Sequence, residues 1–309
     1  MRLVVVGGVA GGMSAAARAR RLDETAEIIV LDRGEHVSFA NCGLPYFVGG
    51  EIENQQSLLD LDVRVRHDVT ALDTAARTLT VQTETGTEQL SYDALILSPG
   101  ALAVRPPLPG LDSPRVHTLR TVEDATTLRT VVTAGARRAV VLGGGFIGIE
   151  AAEALRAQGL ETSVVELSAH VLPPFETELA HLITEELTGL GITVYDGIGA
   201  ASVESGADHD TVILTDGTRI EADLIVLSVG VRPDTAVFGE AGIELERGAI
   251  VVDEHGRTSA PQVWAVGDAV ISTDAVSGIR RPFALAGPAN RAGRLVADDI
   301  FKPALARPI

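Results

Sequence analysis

Two stretches of the chain follow one plan. Residues Arg2–Arg33 read RLVVVGGVAGGMSAAARARRL and then EIIVLDR, while Arg138–Leu167 reads RAVVLGGGFIGIEAAEALRAQGLETSVVEL. Each is an apolar run of strand length, a glycine turn, an alanine-rich helix and a second apolar run. Apolar runs without polar alternation belong to strands buried on both faces, as in parallel sheets covered by other layers. The two halves also end alike. A hairpin at Thr85-Gly86-Thr87 leads into Asp93–Gly100 (DALILSPG), and one at Asp216-Gly217-Thr218 leads into Asp223–Gly230 (DLIVLSVG). The repeat predicts an α/β fold of two Rossmann-type domains. Pro106–Gly110 (PPLPG) reads as a linker between them. Val263–Asp268 (VWAVGD) is a further short buried strand with no place in the second repeat, so it returns to the first. The expected domains are 1–112 with 241–309, and an inserted 113–240.

The glycine turns carry a dinucleotide-binding pattern. Gly7 makes the tight turn and Gly12 lets helix and strand pack closely, while the helix N-terminus faces a pyrophosphate. Val9 stands where the middle glycine is expected. Asp32 closes the next strand, 20 residues after Gly12, where an acid holds a ribose hydroxyl pair. The second turn has Gly143, Gly145 and Gly148 without departure, and Glu166 as its acid. An acid there favours the free 2′-hydroxyl of NADH over the 2′-phosphate of NADPH, and no arginine closely follows it. Two sites imply two dinucleotides, one passing a hydride to the other. FAD belongs in the first, where Gly267 and Asp268 end a strand able to reach its ribityl chain.

Composition narrows the partners. The 309 residues carry a net charge of −17, with Lys302 the sole lysine, which argues against a nucleic-acid or anionic-membrane partner. The apolar runs are far shorter than the roughly 20 residues of a membrane helix. One cysteine cannot form an internal disulfide, which suits a reducing compartment, so the expected location is cytoplasmic. That cysteine, Cys42, lies in Ser38–Tyr46 (SFANCGLPY), directly after the first ribose acid.

This segment, with GGVAGG before it and Leu285–Arg291 (LAGPANR) near the end, closely resembles coenzyme A-disulfide reductases. Those group with NADH oxidases and persulfide reductases among single-cysteine pyridine nucleotide-disulfide oxidoreductases. The resemblance implies that Cys42 is a redox-active thiol beside the flavin. Lacking a second cysteine, Cys42 stores its oxidation with an outside partner, as a mixed disulfide or a sulfenic acid. By the same resemblance Ser14, Arg18, Arg21, Ser38 and Asn41 match coenzyme A-binding positions, with Arg64 and Asn290 near others. Ser14, Arg18 and Arg21 stand at i, i+4 and i+7, one helix face whose guanidiniums suit phosphates; the other reading is a solvated arginine-rich face. Backbone at Val69 resembles the family's adenine contact, and Gly100 and Gly230 close the two nucleotide crevices.

Two departures stand out. Relatives carry roughly ten more residues around Asp60-Leu61-Asp62. They also continue beyond the counterpart of Ile309 into a third domain that forms a homodimer interface, and that domain is expected to be absent from this chain. The expected activity passes electrons from NADH through FAD to Cys42 and on to coenzyme A disulfide or persulfide. The alternatives are an NADH oxidase or peroxidase that reduces oxygen through a Cys42 sulfenic acid, and a non-catalytic flavoprotein sensor. No metal site is expected.

Overall fold

The computed structural model describes residues 1–38, 44–50, 61–274 and 276–309. The helices, in chain order, are α1 (Ala10–Leu22), α2 (Leu44–Val48), α3 (Val122–Thr133), α4 (Phe146–Ala157), α5 (Thr177–Gly189), α6 (Ala236–Glu240) and α7 (Ala286–Phe301). Packing groups Met1–Ala40, Gln56–Leu102 and Arg232–Ile309 into one unit, and Asn41–Gln55 with Ala103–Val231 into another. Residues 103–112 therefore pack with the second unit and 232–240 with the first, whereas the expected joints stood at 112/113 and 240/241.

The first unit is built on a five-stranded sheet. Its order is Val263–Ala265, Ala94–Leu97, Arg2–Val6, Glu27–Leu31, Asp62–Arg64, and every neighbouring pair is parallel. Successive side chains of a strand point to opposite faces, and here both faces are covered. Leu3, Val5, Ile28, Val30 and Ile96 pack with Met13, Ala15, Ala16 and Ala19 of α1 and with Val296 and Ala297 of α7. Val4, Val6, Ile29, Leu31, Leu95 and Leu97 pack instead with Val69, Leu79 and Val81. Those three come from an antiparallel sheet of Asp68–Asp73, Thr78–Thr83 and Gly86–Ser91. Double coverage is why these strands read as unbroken apolar runs.

Val263–Ala265 joins this sheet beside Ala94–Leu97, as the sequence implied. It is held from α7. Trp264 Nε1 donates to Asp299 at 2.9 Å, and Arg257 donates to both oxygens of the same carboxylate at 2.8 and 2.7 Å. The Asp299 side chain is 2% exposed, and a two-pronged guanidinium offsets the cost of burying it.

The second unit repeats the plan. Its parallel sheet runs Thr193–Tyr195, Glu161–Val165, Arg138–Leu142, Leu224–Leu227, Val116–Thr118. A three-stranded antiparallel sheet of Ala200–Glu204, Asp210–Leu214 and Arg219–Ala222 covers one face. There Val203, Val212 and Leu214 meet Val140, Leu142, Val165, Ile225 and Leu227. Among the described residues no helix is long and apolar enough to cross a membrane.

Helices α1 and α7 pack tightly where Gly293 meets Gly11, and a Cβ on Gly293 would land on the Gly11 carbonyl oxygen. Alanine gains about 1 kcal/mol over glycine in a helix interior, but overpacking costs about 1–3 kcal/mol. Gly293→Ala is therefore expected to lower the melting temperature. Gly189→Ala in α5, where a Cβ meets nothing within 4 Å, should leave it unchanged or higher. Thermal unfolding followed by circular dichroism checks the pair, and a stabilised Gly293→Ala would overturn the packing argument.

Candidate functional site

Each parallel sheet ends in a glycine turn of the same geometry. Gly7 has φ 99° and Gly143 φ 107°, a left-handed backbone that side chains strain to adopt. A Cβ on Gly7 would strike the carbonyl oxygen of Ser98, and one on Gly143 that of Ser228. One turn later a Cβ on Gly12 would strike the oxygen of Gly7, and one on Gly148 that of Gly143. Strand, turn and helix are thus pressed together at two points in each repeat. A Cβ on Gly145 meets nothing within 4 Å. Its counterpart Val9 is the N-cap of α1, as Gly145 is of α4.

Among the described residues, the helices leaving these turns start without side-chain caps. Neither α1 nor α4 has a side-chain cap or an acidic residue in its first turn. By contrast, α3 has a complete capping box, with Thr121 and Asp124 bonding each other's backbone N–H. Uncapped first-turn N–H groups carry partial positive charge outward and suit an anion. The open face at Gly145 leaves room there for a close pyrophosphate, so the residues present fit a dinucleotide.

The two acids expected at the riboses, Asp32 and Glu166, are arranged alike. Asp32 accepts the Gly8 N–H at 2.6 Å on one oxygen and the Gly34 N–H at 2.8 Å on the other. Glu166 accepts the Gly144 N–H at 2.7 Å and the Ser168 N–H at 2.7 Å. Each carboxylate stitches its glycine turn to the loop beyond the second strand. A carboxylate has about four lone-pair positions, so each keeps acceptor capacity for a ribose hydroxyl. Beyond Glu166 come Leu167, 74% exposed, then Ser168 and Ala169, with no cation among them. The exposed rings of Phe146 and Phe175 meet edge to face beside this turn, with centroids 5.9 Å apart.

Other expected positions lie around the same sheets. Gly100 and Gly230 each follow the strand next to the central one, and Gly267 opens a short 3₁₀ turn with Asp268 after Val263–Ala265. Val69 is buried on the first antiparallel sheet, opposite Val81. Ser98 and Ser228 were not singled out from sequence. Ser228 donates to the Gly143 oxygen at 3.1 Å, and Ser98 Oγ borders the Cβ positions of Gly11 and Gly267. The duplicated LSPG and LSVG ends were the signal that could have found them.

The positions matched to coenzyme A separate into groups. Ser14 donates to Asn290 Oδ1 at 2.8 Å, so those two meet across α1 and α7. Arg18 is held by Asp298 of α7 at 2.7 Å. Arg21 is exposed and borders a cleft of about 620 Å³ with Arg20, Glu24, Leu61 and Asp62. Arg64 ends its edge strand and pairs with Asp62 at 2.8 Å, with Glu88 at 3.7 Å. Ser38 has φ 57° and its N–H donates to the Gly8 oxygen at 2.8 Å. Asn41 and Cys42 lie outside the described residues.

Residues 1–293 match the pyridine nucleotide-disulphide oxidoreductase family. The chain belongs to this family. It is 31% identical to the coenzyme A disulfide reductase of Staphylococcus haemolyticus, over 97% of this chain and 70% of that protein. Among solved structures it is similar to reduced Bacillus anthracis CoADR-RHD, with a TM-score of 0.93 and 40% identity over 97% of this chain. It is also similar to a NAD-dependent persulfide reductase from A. fulgidus, with a TM-score of 0.95 and 32% identity over all of this chain. The chain spans 56% and 60% of those two solved chains.

In this chain one carboxyl near the second turn stands apart. Burial, and then the neighbouring Glu153, hold the Glu150 carboxyl of α4 above its ordinary range. A raised folded pKa means stability that is full below the unfolded pKa and lost as pH rises through the folded one. Glu150→Gln should therefore raise the melting temperature near neutral pH, and by less near pH 4. Scanning calorimetry at the two pH values decides it, and an equal gain at both would contradict the assignment.

Proposed function

We propose that this chain binds FAD and NADH and passes two electrons to Cys42 and on to a disulfide or persulfide of coenzyme A. The observation that carries this reading is the duplicated cradle: two uncapped helix starts, each behind a pressed glycine turn stitched by an acid. Gly7, Gly12, Asp32, Val69, Gly100, Gly267 and Asp268 would hold FAD. Gly143, Gly145, Gly148, Glu166 and Gly230 would hold NADH. Bound flavin supplies two-electron redox chemistry between a nicotinamide and a thiol.

The chain's own part is thiol exchange. The Cys42 thiolate attacks one sulfur of the disulfide, a mixed disulfide forms, and the other half leaves as a thiolate that takes up a proton. Two electrons originating in NADH then cleave the mixed disulfide, releasing the second thiol and restoring the Cys42 thiolate. The balance is one disulfide, one NADH and one proton to two thiols and NAD⁺. Ser14, Arg18, Arg21, Ser38, Arg64 and Asn290 are the described candidates for holding coenzyme A. A phosphate at Arg18 would compete with Asp298, so Arg21 is the more accessible cation of that stripe.

Cys42→Ser is expected to retain flavin and its bleaching by NADH while coenzyme A disulfide reduction falls to background. Stopped-flow and steady-state assays of one preparation separate the two half-reactions, and undiminished disulfide reduction would falsify the assignment. If oxygen consumes NADH faster than any disulfide tried, oxygen replaces the disulfide as acceptor.

NADH is expected to bleach the flavin at least about tenfold more efficiently than NADPH, equivalent to about 1.4 kcal/mol. The reason is Glu166 and the uncharged Leu167-Ser168-Ala169 after it. Stopped-flow reduction with both donors checks this, and a preference for NADPH would overturn the reading of Glu166.

A further inference from the structure

We infer that Leu172 is a positioning residue for the second glycine turn, an inference that rests on the proposed NADH site. Six described residues other than glycine have a left-handed backbone, and Leu172, with φ 49° and 8% exposure, is the buried one. A side chain in that conformation is strained, and a bulky one is rare there. Such a backbone persists only where its surroundings hold it.

Leu172 is held from both ends. Its N–H donates to the Gly144 oxygen at 2.8 Å, and its own oxygen accepts the Phe175 N–H at 2.9 Å. The preceding Val171 is fully buried against the turn, and a Cβ on Gly144 would lie 3.0 Å from Val171 Cγ1. The first repeat carries the same device. Ser38 has φ 57°, and its N–H donates to the Gly8 oxygen at 2.8 Å. A Cβ on Gly8 would lie 2.6 Å from Val37 Cγ1. His36-Val37-Ser38 and His170-Val171-Leu172 thus place a left-handed residue after the same pair. A strained bond made in both repeats is no accident of one loop.

The bond fixes a direction. Glu166 takes the Gly144 N–H at 2.7 Å, and Leu172 takes the oxygen, so the peptide units on both sides of Gly144 are set. A peptide unit is planar and trans, with its C=O and N–H pointing opposite ways. With the Gly144 oxygen turned to Leu172, the Gly145 N–H faces away from this loop. Gly145 is the N-cap of α4, whose first turn has no side-chain cap. The Gly145 N–H therefore joins the donors of that turn towards the pyrophosphate of the proposed nucleotide. Leu172 acts through Gly144 and not on the nucleotide itself.

The test uses the flavin-loaded protein and ADP-ribose, which carries the pyrophosphate but cannot reduce the flavin. Leu172→Ala and Leu172→Gly both lose the buried side chain, but only glycine adopts φ 49° without strain. Titration calorimetry should find ADP-ribose about fivefold or more weaker on Leu172→Ala than on the parent. Leu172→Gly should bind it at least about threefold more tightly than Leu172→Ala, because alanine bears the left-handed cost. The amide of residue 172 should also exchange with deuterium faster in Leu172→Ala than in Leu172→Gly. Lost packing alone gives the reverse order, since glycine fills less space than alanine. Equal binding by the two variants, or tighter binding by Leu172→Ala, overturns the positioning role while the parent still binds ADP-ribose. An equal glycine advantage with adenosine, which has no phosphate, also overturns it. If the parent itself binds no ADP-ribose, the NADH reading falls and takes this inference with it.

Discussion

The structure depends on how closely backbone can approach backbone at the two glycine turns. At Gly7 and Gly143 the chain turns against the carbonyl of the neighbouring strand's end, and at Gly12 and Gly148 the departing helix rests on the turn itself. Side chains at these positions would push helix away from sheet. The central strand, the helix start and the loop beyond the second strand then could not converge. Because they converge, N–H groups that a helix normally caps from within the protein are turned outward together.

Around this constraint the two units use the same layers with different closing pieces. The edge place held by Val116–Thr118 in the second sheet is held in the first by Val263–Ala265, from much later in the chain. That late strand needs its own fastening. It comes from the buried Asp299 of α7, which holds the buried Trp264 and the exposed Arg257 together. The seam between α1 and α7 is narrow because Gly11 and Gly293 meet there, so α7 reaches Ser14 and Arg18 with Asn290 and Asp298.

Much of the fold was legible because its signals are local and doubled. The apolar runs, the glycine turns and the acids at 32 and 166 recur at matching spacings, and a repeat gives each feature a second witness. Partners far apart in sequence were not legible. The stripe of Ser14, Arg18 and Arg21 reads as one helix face, but nothing near it reveals that Asp298, 280 residues away, takes Arg18. Phe47 likewise gives no sign that its ring and carbonyl are met by Arg129, 82 residues on. The acids were read as ribose ligands, and their bonds to Gly8 and Gly144 were missed because a carboxylate's backbone partners leave no mark in residue type.

Those last bonds tie two properties to one side chain. Glu166 is the group that meets the nucleotide's sugar in the proposed function, and it is also what joins the N–H groups of Gly144 and Ser168. Nucleotide discrimination and loop rigidity are therefore not separately adjustable at this position. Replacing Glu166 by a small residue to admit a phosphate would release the buried Gly144 donor and the part-buried Ser168 donor at the same stroke, and an unsatisfied buried donor costs about 1–3 kcal/mol. An exchange of cofactor preference that keeps the loop intact would retain an acceptor at 166 and place its new cation farther along, in the solvent-facing stretch that begins at Leu167.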